Sequence, residues 1–258
     1  MRSATLIFKV VFLTLALLTL GPIQHVLSSA VPRDGGSVFT GKDGQQYFVN
    51  EKGDTAPIVP LTVSGEYFPG GPKFELSGSS INEIDEQLTK HPLYNATAFD
   101  NVTFVKDHAL EKRLKQIYYC QRQPASNKYA IEPEWPQSAI NLLRTPRWEN
   151  AYCYAPKGKC VNVGCTDRAA VILCSWRQET VRIFCGQVAG RLAQDLVDLM
   201  LNDKNYGVIG FDINAVCVDT YKPPKFYTAR TFWDADPSWE IRVGVWADHG
   251  CPARVNGA

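Results

Sequence analysis

Hydrophobic and polar positions follow two strand-like patterns in the second half of the chain. Residues 169–174 are an almost unbroken apolar run, which is typical of a strand buried on both faces. Residues 181–185 alternate between apolar and polar, as a strand with one buried face does. A turn-like stretch, residues 176–179, separates the two runs. We therefore predict that they pair as an antiparallel hairpin.

An amphipathic helix is predicted directly after this hairpin. Val188, Leu192 and Leu196 recur at a spacing of four, and neighbouring alanines widen the apolar stripe. The polar residues 202–205 end the helix. Residues 239–246 alternate again and predict a late strand, residues 208–219 suit one or two more, and residues 136–143 are a weaker helix candidate.

The N-terminus has the pattern of a signal peptide over residues 1–30. Arg2 and Lys9 lie ahead of a short apolar run, residues 10–20, and small residues up to Ala30 suit cleavage by signal peptidase. A transmembrane anchor is the alternative, but the run is shorter than the roughly 20 residues that span a bilayer. We expect a secreted, extracellular protein without an integral membrane segment.

All eight cysteines lie in the second part of the chain. An even number of cysteines in an exported chain predicts disulfides, whose pairing the sequence leaves open. No Cys-x-x-Cys pair occurs, so we expect no metal site and no cofactor. Strands around one clear helix then predict an α+β fold, a small disulfide-stapled antiparallel sheet with one or two helices packed on one face. The cysteines are Cys120, Cys153, Cys160, Cys165, Cys174, Cys185, Cys217 and Cys251.

Residues 31–113 differ from the rest in composition. They contain 8 lysines and arginines against 12 acidic residues and no cysteine, whereas residues 114–258 contain 17 against 14. The acidic segment ends at Lys112-Arg113, a dibasic pair of the kind that kexin-like proteases cut. We predict a propeptide-like segment, residues 31–113, followed by a cysteine-rich domain, residues 114–258. The alternative is a chance pair of cations on a solvated helix.

Two glycosylation sequons lie close together in the acidic segment. They begin at Asn95 and Asn101, and in an exported chain such sequons are expected on surface loops. We therefore expect a glycoprotein.

The cysteine pattern resembles that of small secreted fungal proteins. Cys160 and Cys165 precede a short strand that ends in Cys174, and Cys185 follows a second strand at the start of a helix. This order is similar to that of cysteine-rich fungal effectors, in particular the necrosis-inducing extracellular effector and killer-toxin-like group. The resemblance implies a small α/β fold, secretion, and a virulence role in host–pathogen interaction, in the host apoplast for a plant pathogen.

A stretch near the C-terminus is dense in aromatic residues, prolines and cations. Tyr, Trp and Arg dominate binding hot spots, so residues 221–239 are a candidate binding surface. The alternative is that these aromatics fill a core against the final strand. The surface comprises Tyr221, Lys222, Lys225, Phe226, Tyr227, Arg230, Trp233 and Trp239.

These observations favour a non-enzymatic protein that binds a host extracellular protein. One alternative is an inhibitor of papain-like or serine proteases that uses a rigid loop, residues 154–159 or 222–231. A secreted glycan hydrolase would need a pair of carboxylates drawn from Asp234, Asp236 and Glu240. A membrane-active toxin is the last alternative. The charge of residues 114–258 is too small to indicate nucleic-acid binding, no catalytic residue is assigned, and the oligomeric state stays open.

Overall fold

The computed structural model describes residues 37–50, 52–100, 116–123, 134–166, 169–201, 226–233 and 236–244, which all belong to one compact unit, residues 34–258. Its strands are β1 (Ser37–Thr40), β2 (Gln46–Val49), β3 (Thr55–Val59), β4 (Leu61–Glu66), β5 (Lys73–Gly78), β6 (Gln116–Gln123), β7 (Tyr152–Ala155), β8 (Cys160–Cys165), β9 (Ala170–Ser175), β10 (Val181–Phe184), β11 (Phe226–Trp233) and β12 (Asp236–Gly244). Its helices are α1 (Ile81–Thr89), α2 (Gln137–Leu143), α3 (Pro146–Glu149) and α4 (Arg191–Leu201). Single turns of 3-10 and π-helix occupy Ala96–Phe99 and Cys185–Gly190.

These strands form two sheets. The large sheet has the order β1-β2-β3-β8-β9-β12-β11-β6, and the small sheet has the order β10-β7-β4-β5. Neighbouring strands are antiparallel except for β3 and β8, which run parallel. Helices and disulfide-linked strands thus form the predicted α+β fold, and the fold class is confirmed.

The main core lies between the two sheets and the helices. All residues of β8 and β9 are buried, as the unbroken apolar run 169–174 predicts for the latter strand. The small sheet contributes alternate residues such as Val63 and Ile183, and α4 contributes Leu192 and Leu196. A second cluster on the opposite face of β8 and β9 includes Phe48, so the β1–β2 end of the large sheet folds back over its own centre.

The predicted helix begins after a π-helical turn. Gly186 lies in this turn at a site where a β-carbon would stand 2.8 Å from the Glu149 backbone and 2.8 Å from the Leu143 carbonyl oxygen. Only glycine therefore allows α2 and α3 to approach the turn this closely. The short helix predicted at 136–143 and the strand predicted near 239–246 are present as α2 and β12.

The predicted hairpin of 169–174 with 181–185 is wrong. β9 pairs with β8 and β12 in the large sheet, whereas β10 pairs with β7 in the small sheet. The burial patterns explain the separation. A strand that is apolar on both faces is stable at the centre of a covered sheet, and a strand with one apolar face suits the edge of a sheet whose other face is open.

Disulfides join strands in both sheets. Cys153 in β7 bonds Cys185, which follows β10, and Cys160 in β8 bonds Cys174 in β9. Cys165 is also disulfide-bonded, and none of the cysteines that the structure describes is free. Loops of these lengths contribute about 3–4 kcal/mol each in the chain-entropy model. The side chain of Cys120 and the whole of Cys217 and Cys251 lie outside the described residues.

An ion pair on β12 is buried beside the second cluster. The side chains of Glu240 and Arg242 are both 3% exposed, and Arg242 Nη2 lies 3.5 Å from Glu240 Oε2. Trp176 Nε1 donates to Glu240 Oε1 at 3.3 Å, and the Arg242 guanidinium lies 4.9 Å from the centroid of the Phe48 ring. These contacts fix β2 over β12.

We predict that Arg242→Met lowers the free energy of unfolding by about 3–5 kcal/mol, because it removes a buried cation that lies beside the buried Glu240 carboxylate. The double variant Glu240→Leu/Arg242→Met should recover most of this loss, since the buried charges then disappear together. Urea denaturation of the wild-type protein, the single variant and the double variant measures both effects. A double variant no more stable than the single one would contradict this interpretation of the pair.

Candidate functional site

The small sheet exposes one face across all four of its strands. Inward residues such as Cys153 and Ile183 are buried in the core, and the residues between them on the same strands point to the opposite face. The registers of β10, β7, β4 and β5 align these outward residues in two rows. The rows are Phe184, Tyr152, Ser64 and Glu75, and Arg182, Tyr154, Thr62 and Ser77.

Arg182 is the cationic centre of this face. Its guanidinium lies 3.6 Å from the centroid of the Tyr152 ring and 6.0 Å from that of Tyr154. Tyr152 stacks on Phe184 with ring centroids 4.3 Å apart, and the Tyr154 hydroxyl shares a 2.8 Å hydrogen bond with the Ser64 hydroxyl. Each cation–π contact at an exposed site contributes about 0.5–1 kcal/mol. We call Tyr152, Tyr154, Arg182 and Phe184 the Tyr–Arg face.

A disulfide lies directly beneath the Tyr–Arg face. Cys153 stands between Tyr152 and Tyr154 in sequence, Cys185 follows Phe184, and both cysteines are fully buried. The bond therefore links the two strands that carry the face. Such a link restricts β7 and β10 before any partner binds, which lowers the entropy cost of association.

A groove of about 800 Å³ adjoins the Tyr–Arg face. This volume falls within the roughly 300–1,000 Å³ of typical ligand sites. The groove shares Tyr152 and Arg182 with the face, includes Ser64 on β4, and continues toward α3 and the 3-10 turn. Side chains of both charges line it. They are Glu66, Lys73, Glu75, Arg147 and Arg182.

Asp85 in α1 holds Arg147 at the edge of the groove. The Arg147 Nε and Nη2 groups both donate to the Asp85 carboxylate, the second at 2.9 Å, and Trp148 Nε1 donates to the same carboxylate at 3.1 Å. Burial lowers the pKa of the Arg147 guanidinium, but the hydrogen bonds and charges of Asp85 and, to a smaller extent, Tyr94 together outweigh it and raise this pKa. The cation is thus fixed in position, and α1 is tied to α3.

Most side chains of the binding surface predicted at 221–239 lie outside the part of the protein that the structure describes. Tyr221, Lys222 and Lys225 lie outside the described residues. Trp239 is different because it is 2% exposed and packs in the main core. Its side chain therefore fills the interior, as the alternative interpretation predicted. For the remaining positions the structure gives the backbone of β11 but not the side chains, and they are Phe226, Tyr227, Arg230 and Trp233.

Of the three carboxylates predicted for a hydrolase, the structure describes only the side chain of Glu240. Glu240 is 2% exposed and bonds Arg242 and Trp176, so it does not face an open cleft. Asp236 begins β12, where its side chain is not described, and Asp234 lies outside the described residues.

The predicted processing and glycosylation positions fall mainly on residues that the structure leaves out. Ala30, Lys112, Arg113 and Asn101 lie outside the described residues. Asn95 is exposed just before the 3-10 turn, and its Oδ1 accepts a hydrogen bond from the Thr97 hydroxyl at 2.9 Å. Glycosylation and cleavage therefore stay predictions.

The Tyr–Arg face was missed in the sequence because its strands are short. One signal was present. In Tyr152-Cys153-Tyr154 the cysteine separates two tyrosines, and the period of two in a strand places both tyrosines on the face opposite to the disulfide. This pattern extends to Arg182 and Phe184 only when the pairing of β7 with β10 is known.

No protein-family model, curated protein or solved structure matches this chain. The resemblance to fungal effectors therefore depends on the order of cysteines, strands and helix in the sequence. Among the residues that the structure describes, no helix has the length and hydrophobicity needed to cross a membrane. The same residues contain no cluster of three or more histidine, cysteine, aspartate or glutamate side chains suited to a metal ion.

Glu149, the last residue of α3, allows a prediction about how stability depends on pH. Burial raises the pKa of its carboxyl above the ordinary 4.5, although Arg144 and Arg191 oppose the rise. The folded state thus holds this proton more tightly, and stability falls as the pH rises from 4.5 through the folded pKa. We predict that Glu149→Gln raises the melting temperature at pH 7 and that this gain disappears below about pH 4.

Glu83→Gln is the control of opposite sign. Hydrogen bonds from the backbone and the hydroxyl of Ser79 lower the pKa of the Glu83 carboxyl. Its contribution to stability is present above the unfolded pKa and is lost on acidification. Glu83→Gln should therefore lower the melting temperature at pH 7, with a difference that closes in acid. Thermal melts from about pH 3 to pH 8 test both variants, and parallel curves for the two would contradict the assignment.

Proposed function

We propose that this protein is a secreted effector-type virulence protein of a fungus, which binds a host extracellular protein without catalysing a reaction. The signal peptide pattern and the cysteine-rich second part support secretion. The order of cysteines, which resembles that of fungal effectors, supports the effector class.

The Tyr–Arg face is the observation that carries the binding proposal. It combines stacked aromatic rings with a cation, which are the residue types that dominate binding hot spots. Tyr152, Tyr154 and Phe184 are half-buried and Arg182 is exposed, so a partner can bury much further surface there. The disulfide beneath links the two strands that carry the face.

The adjoining groove indicates what kind of partner fits. Its lining combines acidic and basic side chains with two largely buried rings, Phe74 and Phe99. Such a lining complements a polar peptide segment of a folded protein rather than a membrane or a polyanion. A protein ligand could thus place a loop in the groove and an apolar patch on the Tyr–Arg face.

Inhibition of a serine protease is a second candidate, favoured by the loop at 154–159. The loop lies between Cys153 and Cys160, each of which is held by a disulfide. Lys159 donates its backbone N–H to the Pro156 carbonyl at 3.0 Å, Gly158 has a φ of 62°, and Lys157 is exposed at the tip. A rigid loop with an exposed lysine suits the specificity pocket of a trypsin-like protease.

We predict that Arg182→Glu weakens binding to host extracellular protein at least tenfold, because it replaces the cation of a hot spot by an anion. Tagged full-length protein, secreted from yeast, would be incubated with host extracellular fluid, and its ligands would be identified by mass spectrometry and titrated by biolayer interferometry. Lys42→Glu, the same charge change at an exposed turn between β1 and β2, is the matched control.

Two outcomes would contradict this proposal. In the first, Arg182→Glu and Lys42→Glu bind the captured ligand equally well. In the second, the wild-type protein releases dye from liposomes in the absence of any protein partner, which would favour the membrane-active alternative.

We predict for the inhibitor candidate that Lys157→Ala abolishes slow-dissociating inhibition of trypsin-like proteases while Arg182→Glu retains it. Protease assays with the full-length protein measure this. No inhibition by the wild-type protein at micromolar concentration would exclude the candidate.

A further inference from the structure

The acidic segment supplies strands to both sheets of the protein. β3 pairs with β8 through Ile58 and Cys160, and β4 pairs with β7 through Val63 and Cys153. β4 and β5 come from before the Lys112-Arg113 pair, whereas β7 and β10 come from after it. Without the acidic segment, β7 and β8 would each expose a row of backbone N–H and C=O groups at a bare edge.

The acidic segment also supplies part of the main core. Ile81, Ile84 and Leu88 on α1 are fully buried, together with Leu61 and Val63 on β4. They pack in one cluster with residues of α2, α4, β8 and β9 from the cysteine-rich part. The two parts thus share one hydrophobic core rather than each having its own.

Polar contacts join the two parts at specific points. The Asp85 carboxylate accepts hydrogen bonds from Arg147 and Trp148, and the Cys165 backbone N–H donates to Asn82 Oδ1 at 3.2 Å. Each contact links α1 to the cysteine-rich part. Buried polar groups that lose such partners are costly to leave in an apolar environment.

No disulfide can join the two parts, because all eight cysteines follow residue 113. Hydrolysis of the Arg113–Leu114 peptide bond by a kexin-like protease would consume one water and create a carboxylate on Arg113 and an amine on Leu114. After that cut only noncovalent contacts would hold the parts together. The groove would depend on those contacts, because Glu66, Lys73 and Glu75 come from one part and Arg147 and Arg182 from the other.

We infer that the acidic segment is a permanent subunit and not a removable propeptide. A chain cut at Lys112-Arg113 remains a noncovalent two-chain protein, and both chains line its groove. This inference does not depend on the identity of the host ligand or on whether binding occurs.

The test is complete digestion of the full-length secreted protein with a kexin-like protease, or with a site-specific protease after its recognition sequence replaces Lys112-Arg113. Denaturing gels without reductant should show two chains, since no disulfide connects them. Size-exclusion chromatography in native buffer should show one peak that contains both chains, even after dilution to nanomolar concentration. Two separate native peaks for the wild-type protein would overturn the inference.

A charge reversal within α1 tests whether the described interface holds the chains together. Asp85→Lys places a cation against Arg147, so we expect the cut chains to separate at a concentration at least tenfold higher than for the wild-type protein. Glu86→Lys is the matched control, because Glu86 is on the same helix and its side chain is 74% exposed. Equal retention in both variants would contradict the role assigned to the contact of Asp85 with Arg147. The result for the cut wild-type protein decides the inference itself, including the case in which Asp85→Lys fails to fold.

Discussion

The pairing of β4 with β7 is the contact on which the rest of this structure depends. It joins two strands from the acidic segment to two strands from the cysteine-rich part, and so creates the small sheet. The inward face of that sheet closes the main core against β8 and β9. Its outward face carries the Tyr–Arg face and one wall of the groove. A single set of backbone hydrogen bonds thus supports both the core and the candidate binding site.

The disulfides lie only in the cysteine-rich part of the chain. The bond of Cys153 with Cys185 fixes β7 to the end of β10, and the bond of Cys160 with Cys174 fixes β8 to β9. Both disulfides limit the motion of strands in the cysteine-rich part, and strands of the acidic segment pair with two of these, β7 and β8. The cross-links therefore hold β8 and β7 in position to pair with β3 and β4. Strand pairing and hydrophobic burial in the shared core hold the acidic segment in place.

Buried polar groups give the packing its specificity. The pair of Glu240 with Arg242 sets β12 against the β1–β2 end of the large sheet, and the Asp85 carboxylate sets α1 against α3. Neither interaction contributes as much stability as apolar burial, because each charge loses its hydration. Each one instead penalises other arrangements, in which a charge would be buried without its partner.

Local patterns in the sequence determined the class of elements in this protein. The apolar run before Cys174 indicated a buried strand, and the apolar stripe beginning at Val188 indicated a helix. Both could be predicted because the spacing of apolar residues within one short segment reflects which of its positions are buried. The even cysteine count predicted disulfides, and the fold class followed. Only the tertiary structure decided which strands pair: β10 joined β7 rather than β9, the acidic segment entered both sheets, and Glu240 became buried. Pairing between strands that are distant in sequence depends on which faces and edges fit together in three dimensions. The pattern of apolar residues in a strand predicts that the strand is buried, but not which other strand it pairs with.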